Sequence, residues 1–147
     1  MTSSDLPTRV LLDTCAVIWL VNAGTMAPLV VEAIEHAGKM GGVFVSTASA
    51  WEVGLLSRPR ANRVQAPDFL PDPKSWFARF LGMPGVRETP ITADIAIDAS
   101  YLPGDFHPDP MDRLIVATAR HLGLPVVTSD RKIIAYAQAG HVAVIPC

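Results

Sequence analysis

Short, unbroken apolar runs constrain this chain more than any other feature. Val10-Leu11-Leu12, Val43-Phe44-Val45, Val126-Val127 and Val142-Ala143-Val144 do not alternate with polar residues. A strand with one wet face alternates; an unbroken run fits a strand buried on both faces, as in a parallel sheet. A weaker run lies at Val86–Glu88. Longer stretches with helical patterning separate the runs, at 14–22, 27–39, 47–57, 73–82, 92–101, 110–122 and 130–138. Strands alternating with helices predict an α/β fold around a central parallel sheet of four to five strands.

Local signals place several helix ends. Asp72-Pro73 and Asp109-Pro110 each set an acid at the cap before a proline in the first turn. Thr92-Ala93-Asp94 resembles them without the proline, and Gly123 after His121-Leu122 fits a helix stop. Stretch 110–122 is apolar nearly all round and is expected to be buried.

Composition narrows the function classes. The 147 residues suit one domain, taken as 1–147. With 50% hydrophobic and 18% charged residues, the chain is not intrinsically disordered. A net charge of −2 excludes nucleic-acid binding driven by bulk charge. A local patch would be needed, and Arg58, Arg60 and Arg63 in RPRANR offer either that or a solvated loop. Cys15 and Cys147 are too few for a disulfide scaffold; Cys15 reads as a small buried thiol. The start MTSSDLPTR lacks a secretory pattern, and no apolar run is long enough to span a membrane, so a cytoplasmic protein is expected.

Four acids stand where acids are costly. Asp13 directly follows one run, and Asp130 follows another after Thr128-Ser129. In an open parallel sheet both would project from the carboxyl edge, where sites form. Each would equally serve as a helix cap. Glu52 has Ala48, Leu55 and Leu56 as helical neighbours, an apolar stripe on which a carboxylate needs a partner or an ion. A capping box Ser49-x-x-Glu52 is the alternative. Asp112 precedes Ile115 and Val116, and it also completes a capping box with Asp109. Carboxylates about 5 Å apart repel by roughly 3 kcal/mol at an effective dielectric near 20. If the four converge, they must take up protons or bind a cation. Oxygen donors without Cys or His favour Mg²⁺ or Mn²⁺ over zinc and suit phosphoryl chemistry.

The segments VLLDTCAVIWL (10–20), STASAWEVGLL (46–56), HPDPMDRLIVATA (107–119) and VVTSDRKI (126–133) together resemble the PIN-domain nucleases. Within them the chain is most similar to VapC-type toxins of bacterial type II toxin–antitoxin modules, over about Arg9 to Val144. The resemblance implies a three-layer α/β/α PIN domain. It assigns Asp13, Glu52, Asp112 and Asp130 to a catalytic metal site for Mg²⁺ or Mn²⁺. It sets Thr128 beside them as a hydroxyl that bonds a carboxylate or water, and Thr14 in a similar role. The implied chemistry is metal-dependent RNA cleavage, with water attacking phosphorus in line and leaving 5′-phosphate and 3′-hydroxyl ends. Asp112 or Asp13 would orient or deprotonate that water, with one metal or two. A VapB-like antitoxin, an RNA substrate and a homodimer are the implied partners.

Other residues keep two readings. Arg113 and Arg131 would contact phosphate or form surface ion pairs. Trp19 and Trp51 would fill the core or a dimer interface. Asp94 and Asp98 read as solvated, and Asp105 as a loop acid or a support to the site. His36, His107, His121 and His141 share no spacing, so none is assigned to catalysis. A haloacid-type phosphatase would need a second Asp where Cys15 stands. A stand-alone RNA-processing nuclease of the same fold, or a non-catalytic RNA- or protein-binding module, are the remaining rivals.

Overall fold

A computed structural model describes residues 5–58 and 68–147. The strands are β1 (Arg9–Leu12), β2 (Gly42–Ser46), β3 (Val86–Thr89), β4 (Val126–Thr128) and β5 (Val144–Pro146). The helices are α1 (Thr14–Val21), α2 (Pro28–Lys39), α3 (Thr47–Ser57), α4 (Pro73–Leu81), α5 (Ala93–Ser100), α6 (Pro110–Leu122) and α7 (Arg131–Gln138). All five strands are parallel, in the order β3-β2-β1-β4-β5. No helix among the described residues is long and apolar enough to cross a membrane.

The unbroken runs are explained by what covers the sheet. Val10, Leu12, Val43, Val45 and Val127 pack on one face with residues of α1, α2, α3 and α4. Leu11 and Val126 point to the other face, against Ile115 and Ala119 of α6. Val116 and Ala117 of α6 pack outward against Ile95 and Ala99 of α5 and Ile133 and Tyr136 of α7. Both faces are therefore covered, giving a three-layer α/β/α sandwich.

Two expectations need correction. The last strand is Val144–Pro146, not 142–144, because pairing with β4 begins at Val126↔Val144. Helix α6 is buried all round only over Ile115–Ala119, where it lies between the sheet and α5. Its first turn is partly exposed, and Arg120 and His121 are exposed.

Strand order determines where a site forms. The chain runs outward from β1 to β2 and β3, then returns to place β4 on the other side of β1. The carboxyl ends of β1 and β4 thus flank the switch point of the sheet, the usual location of a crevice in such folds. Asp13 and Asp130 follow those two strands.

Among the described residues Arg113 pairs with backbone carbonyls rather than with an acid. Its guanidinium donates to the carbonyls of Ala99 (2.8 Å), Phe106 (2.9 Å) and His107 (3.3 Å). It ties the 99–107 segment to α6, while Tyr136 donates its hydroxyl to the Pro103 carbonyl and stacks near Phe106. Arg131 is exposed at the start of α7. Trp51 is 59% exposed and Trp19 half-buried, so neither is a core residue; Trp76 fills the core instead. Arg58 is exposed, and Arg60 and Arg63 lie outside the described residues. Replacing Arg113 by Lys removes the planar fork and should lower stability by about 2 kcal/mol. Arg131→Lys should stay within about 0.5 kcal/mol. Urea denaturation of the two variants separates them, and equal values would mean that Arg113 does not hold the segment.

Candidate active site

Each of the four acids is delivered by a local feature of the chain. Asp13 caps α1, its Oδ1 accepting from the Thr14 amide at 2.8 Å. Asp130 caps α7, its Oδ1 accepting from the Lys132 and Ile133 amides. The cap and site readings are therefore both true: a cap fixes the backbone angle at which each carboxylate leaves the sheet edge. Asp109 caps α6 by accepting from the Met111 and Asp112 amides, which sets Asp112 one turn inside. Glu52 differs. The cap of α3 is Ser46, accepting from the Ala48 amide at 3.0 Å, so the capping box Ser49-x-x-Glu52 does not form. Ser49 is buried in the first turn, and Glu52 stands one turn further on, facing the sheet edge.

These placements bring all four carboxylates to one pocket of about 260 Å³, lined also by Thr14, Cys15 and Ser129. No Lys or Arg is among its lining residues. Two hydroxyls hold the acids in place. Thr128 is wholly buried and donates to Asp13 Oδ2 at 2.7 Å, while its oxygen accepts from the Asp130 amide at 3.0 Å. Thr14 donates to Glu52 Oε1 at 2.6 Å, and its oxygen lies 2.9 Å from Ser49 Oγ. Both threonines thus position carboxylates, Thr128 from a wholly buried place. Asp94, Asp98 and Asp105 are exposed and line no part of this pocket.

Sequence reasoning missed two neighbours of the acids. His107 Nε2 lies 3.0 Å from Asp112 Oδ2. His107, Asp112 and Asp130 each offer one donor atom within 4.8 Å of the others. No spacing rule finds this residue, because the chain folds back through Pro108-Asp109-Pro110 to bring it beside the helix that follows. Cys15 is half-buried rather than buried; its sulfur accepts from Ser129 Oγ at 3.4 Å and lies beside the Cys147 thiol. Cys147 arrives there by the register of β5, its amide donating to the Thr128 carbonyl at 3.0 Å. The neighbouring Cys147 thiol lowers that of Cys15 to about 6.

The electrostatics follow from crowding. Burial raises Asp13 above its ordinary value against the pull of Thr128 and Thr14. Burial raises Glu52 too, against its bond from Thr14, with the other acids adding to the shift. Asp112 is pushed up to about 7, first by burial and then by Asp130, Asp13, Asp109 and Glu52. Its folded pKa lies above its unfolded one, so the protonated acid favours the fold below about pH 4, and that contribution is lost as pH rises to 7. Asp112→Asn removes this dependence. At pH 8, without metal, the variant should be more stable than the parent by roughly 2 kcal/mol after allowing for partial exposure, and should melt several degrees higher. At pH 4 the difference should vanish. A lower melting point for the variant at pH 8 would show that Asp112 is a paired structural acid.

Comparison with known proteins identifies the family. The PIN domain family matches residues 10–139. Ribonuclease VapC22 of Mycobacterium tuberculosis is 33% identical over 127 residues, which covers 86% of this chain and 90% of that protein. Among solved structures, DNA-bound VapBC from Salmonella typhimurium has a TM-score of 0.63 at 16% identity, covering 94% of this chain and 97% of that one. VapBC2 from Rickettsia felis, bound to a promoter DNA fragment, has a TM-score of 0.62 at 14% identity, over 94% and 98% of the two chains. The family match spans most of the chain, and the α/β/α fold is shared with these solved structures: the chain belongs to the PIN domain family.

Proposed function

We propose that this chain is a divalent-metal-dependent endoribonuclease, the toxin of a VapC-like toxin–antitoxin pair. One observation carries the reading: four carboxylates on four different elements converge on a pocket that no Lys or Arg lines. The 33% identity to a protein named as a ribonuclease gives the substrate class, and solved neighbours described as toxin–antitoxin complexes give the biological setting.

The donor set fits a hard cation. Asp13, Glu52, Asp112 and Asp130 would hold Mg²⁺ or Mn²⁺, and burial with mutual repulsion raises Asp13, Glu52 and Asp112 in its absence. When bound, such an ion neutralises phosphate charge, acidifies water and steadies the leaving oxygen. The chain's own groups divide the remaining work. Both oxygens of Asp13 are engaged, Oδ1 by the Thr14 amide and Oδ2 by Thr128, so Asp13 serves to bind rather than to move a proton. Asp112, whose side chain meets His107 and whose carboxylate caps no helix, is the group left to orient or take the proton of the attacking water. Arg131 and Lys132, exposed beside Asp130, are placed to meet RNA phosphates, a role Arg113 cannot fill.

A partner has surface to grip. A groove of about 520 Å³ between α3 and α4 is lined by Trp51, Leu55, Phe77 and Leu81, with Arg58 and Lys74 at its rim. An antitoxin helix with apolar and acidic residues fits that groove. A cationic residue carried into the neighbouring pocket would satisfy the repulsion the metal otherwise relieves, so antitoxin and metal compete. Exposed Ile97 on α5 and Tyr101 at its C-terminal cap supply apolar surface for a homodimer.

The purified protein, freed of any inhibitor, should cleave RNA with Mg²⁺ or Mn²⁺ and stop with EDTA. Asp112→Asn should lower the rate by at least about 10²-fold without loss of fold. Full activity in EDTA would contradict the metal reading. Expressed alone in a bacterial host, the parent should arrest growth, Asp112→Asn should not, and a small neighbouring frame should rescue. Harmless expression of folded, nuclease-active parent would favour a stand-alone RNA-processing nuclease.

A further inference from the structure

The reading of the site as a divalent-metal centre leaves one group unexplained. His107 Nε2 is shielded from solvent and has no hydrogen-bond partner among the described residues, though Asp112 Oδ2 is only 3.0 Å away. Buried ring nitrogens are normally satisfied, and a charge-assisted bond to a carboxylate would be well aligned. This contact is close without being aligned. Two ligands of one octahedral ion, each about 2.1 Å from it at a right angle, lie about 3.0 Å apart. The same three side chains, His107, Asp112 and Asp130, bring one donor atom each within 4.8 Å.

The ring does not drift there by chance of rotamer. The Arg113 guanidinium holds the carbonyls of Phe106 and His107. Phe106 packs edge-on against the imidazole with centroids 4.5 Å apart, and Phe106 is itself held by Tyr136 at 4.6 Å. The residue after Asp112 therefore clamps the backbone that presents the imidazole to Asp112. Ligands positioned by supporting contacts of this kind are characteristic of metal sites.

We propose that His107 is a nitrogen ligand of the metal centre, sharing the ion with Asp112 and Asp130, and that it makes the centre select Mn²⁺ over Mg²⁺. The proposal rests on the divalent-metal reading above and goes beyond it in donor set and selectivity. Mg²⁺ prefers oxygen donors and retained water, whereas imidazole suits transition-metal ions. An all-carboxylate site would discriminate weakly between the two. Replacing one oxygen donor by Nε2 shifts the preference towards Mn²⁺.

The test uses the full-length metal-free protein, titrated with Mn²⁺ and with Mg²⁺ and examined by pulsed electron paramagnetic resonance with Mn²⁺ bound. Mn²⁺ should bind at least about tenfold more tightly than Mg²⁺ and should show hyperfine coupling to an imidazole ¹⁴N. His107→Gln should abolish that coupling and weaken Mn²⁺ binding by about tenfold, leaving Mg²⁺ affinity within about threefold. Bound Mn²⁺ without nitrogen coupling in the parent would overturn the His107 assignment and leave the carboxylate centre standing. Coupling that persists in His107→Gln would overturn it as well. Absence of saturable binding by either ion would overturn the metal-centre reading itself.

Discussion

Mutual repulsion among four carboxylates is the constraint on which the rest of this molecule turns. The acids are held together by covalent placement at element ends and by two buried hydroxyls, Thr14 and Thr128, that accept the cost of fixing them. The parallel sheet makes this possible. Its strand order puts the carboxyl ends of β1 and β4 side by side, and α3 and α6 supply one acid each from the flanks. A fold whose core is dry on both faces of the sheet concentrates its polar groups at this edge. The edge is therefore electrostatically frustrated until a proton or a cation arrives.

The same interactions that build the fold also aim the site. Asp13 and Asp130 end one element and begin the next, so losing either carboxylate would disturb a helix start as well as the pocket. Asn retains much of a cap's function, which is why amide variants distinguish charge from capping better than alanine does. Thr128 serves twice, donating to Asp13 and accepting from the Asp130 amide, so a single hydroxyl sets the relation between the two acids.

Much of this was legible in the residues. Unbroken runs at Val10–Leu12 and Val43–Val45 fitted strands buried on both faces, as a parallel sheet with two covering layers requires. Glu52 was legible because a carboxylate among Ala48, Leu55 and Leu56 has no reason to be there without a partner. Asp-Pro pairs gave the starts of α4 and α6 correctly. What escaped was tertiary. The extent of β5 depends on register with β4, which a run of Val-Ala-Val does not encode. His107 reaches Asp112 only because Arg113 draws the preceding loop back against α6, and no periodicity marks a loop contact. Trp51 looked like core by residue type, yet it lies on the outward side of α3.

Burial and the neighbouring acids push Asp112 up to about 7, so the proposed binding of a divalent ion would have to displace a proton near neutrality. Calorimetric titration of Mn²⁺ into the metal-free protein, repeated in buffers of different ionisation enthalpy, counts the protons released per ion bound. With Asp112 near 7 and burial raising Asp13 and Glu52 as well, the account predicts at least about one proton released per ion at pH 6, and fewer at pH 8.5. Saturable binding with no proton release at either pH would contradict it.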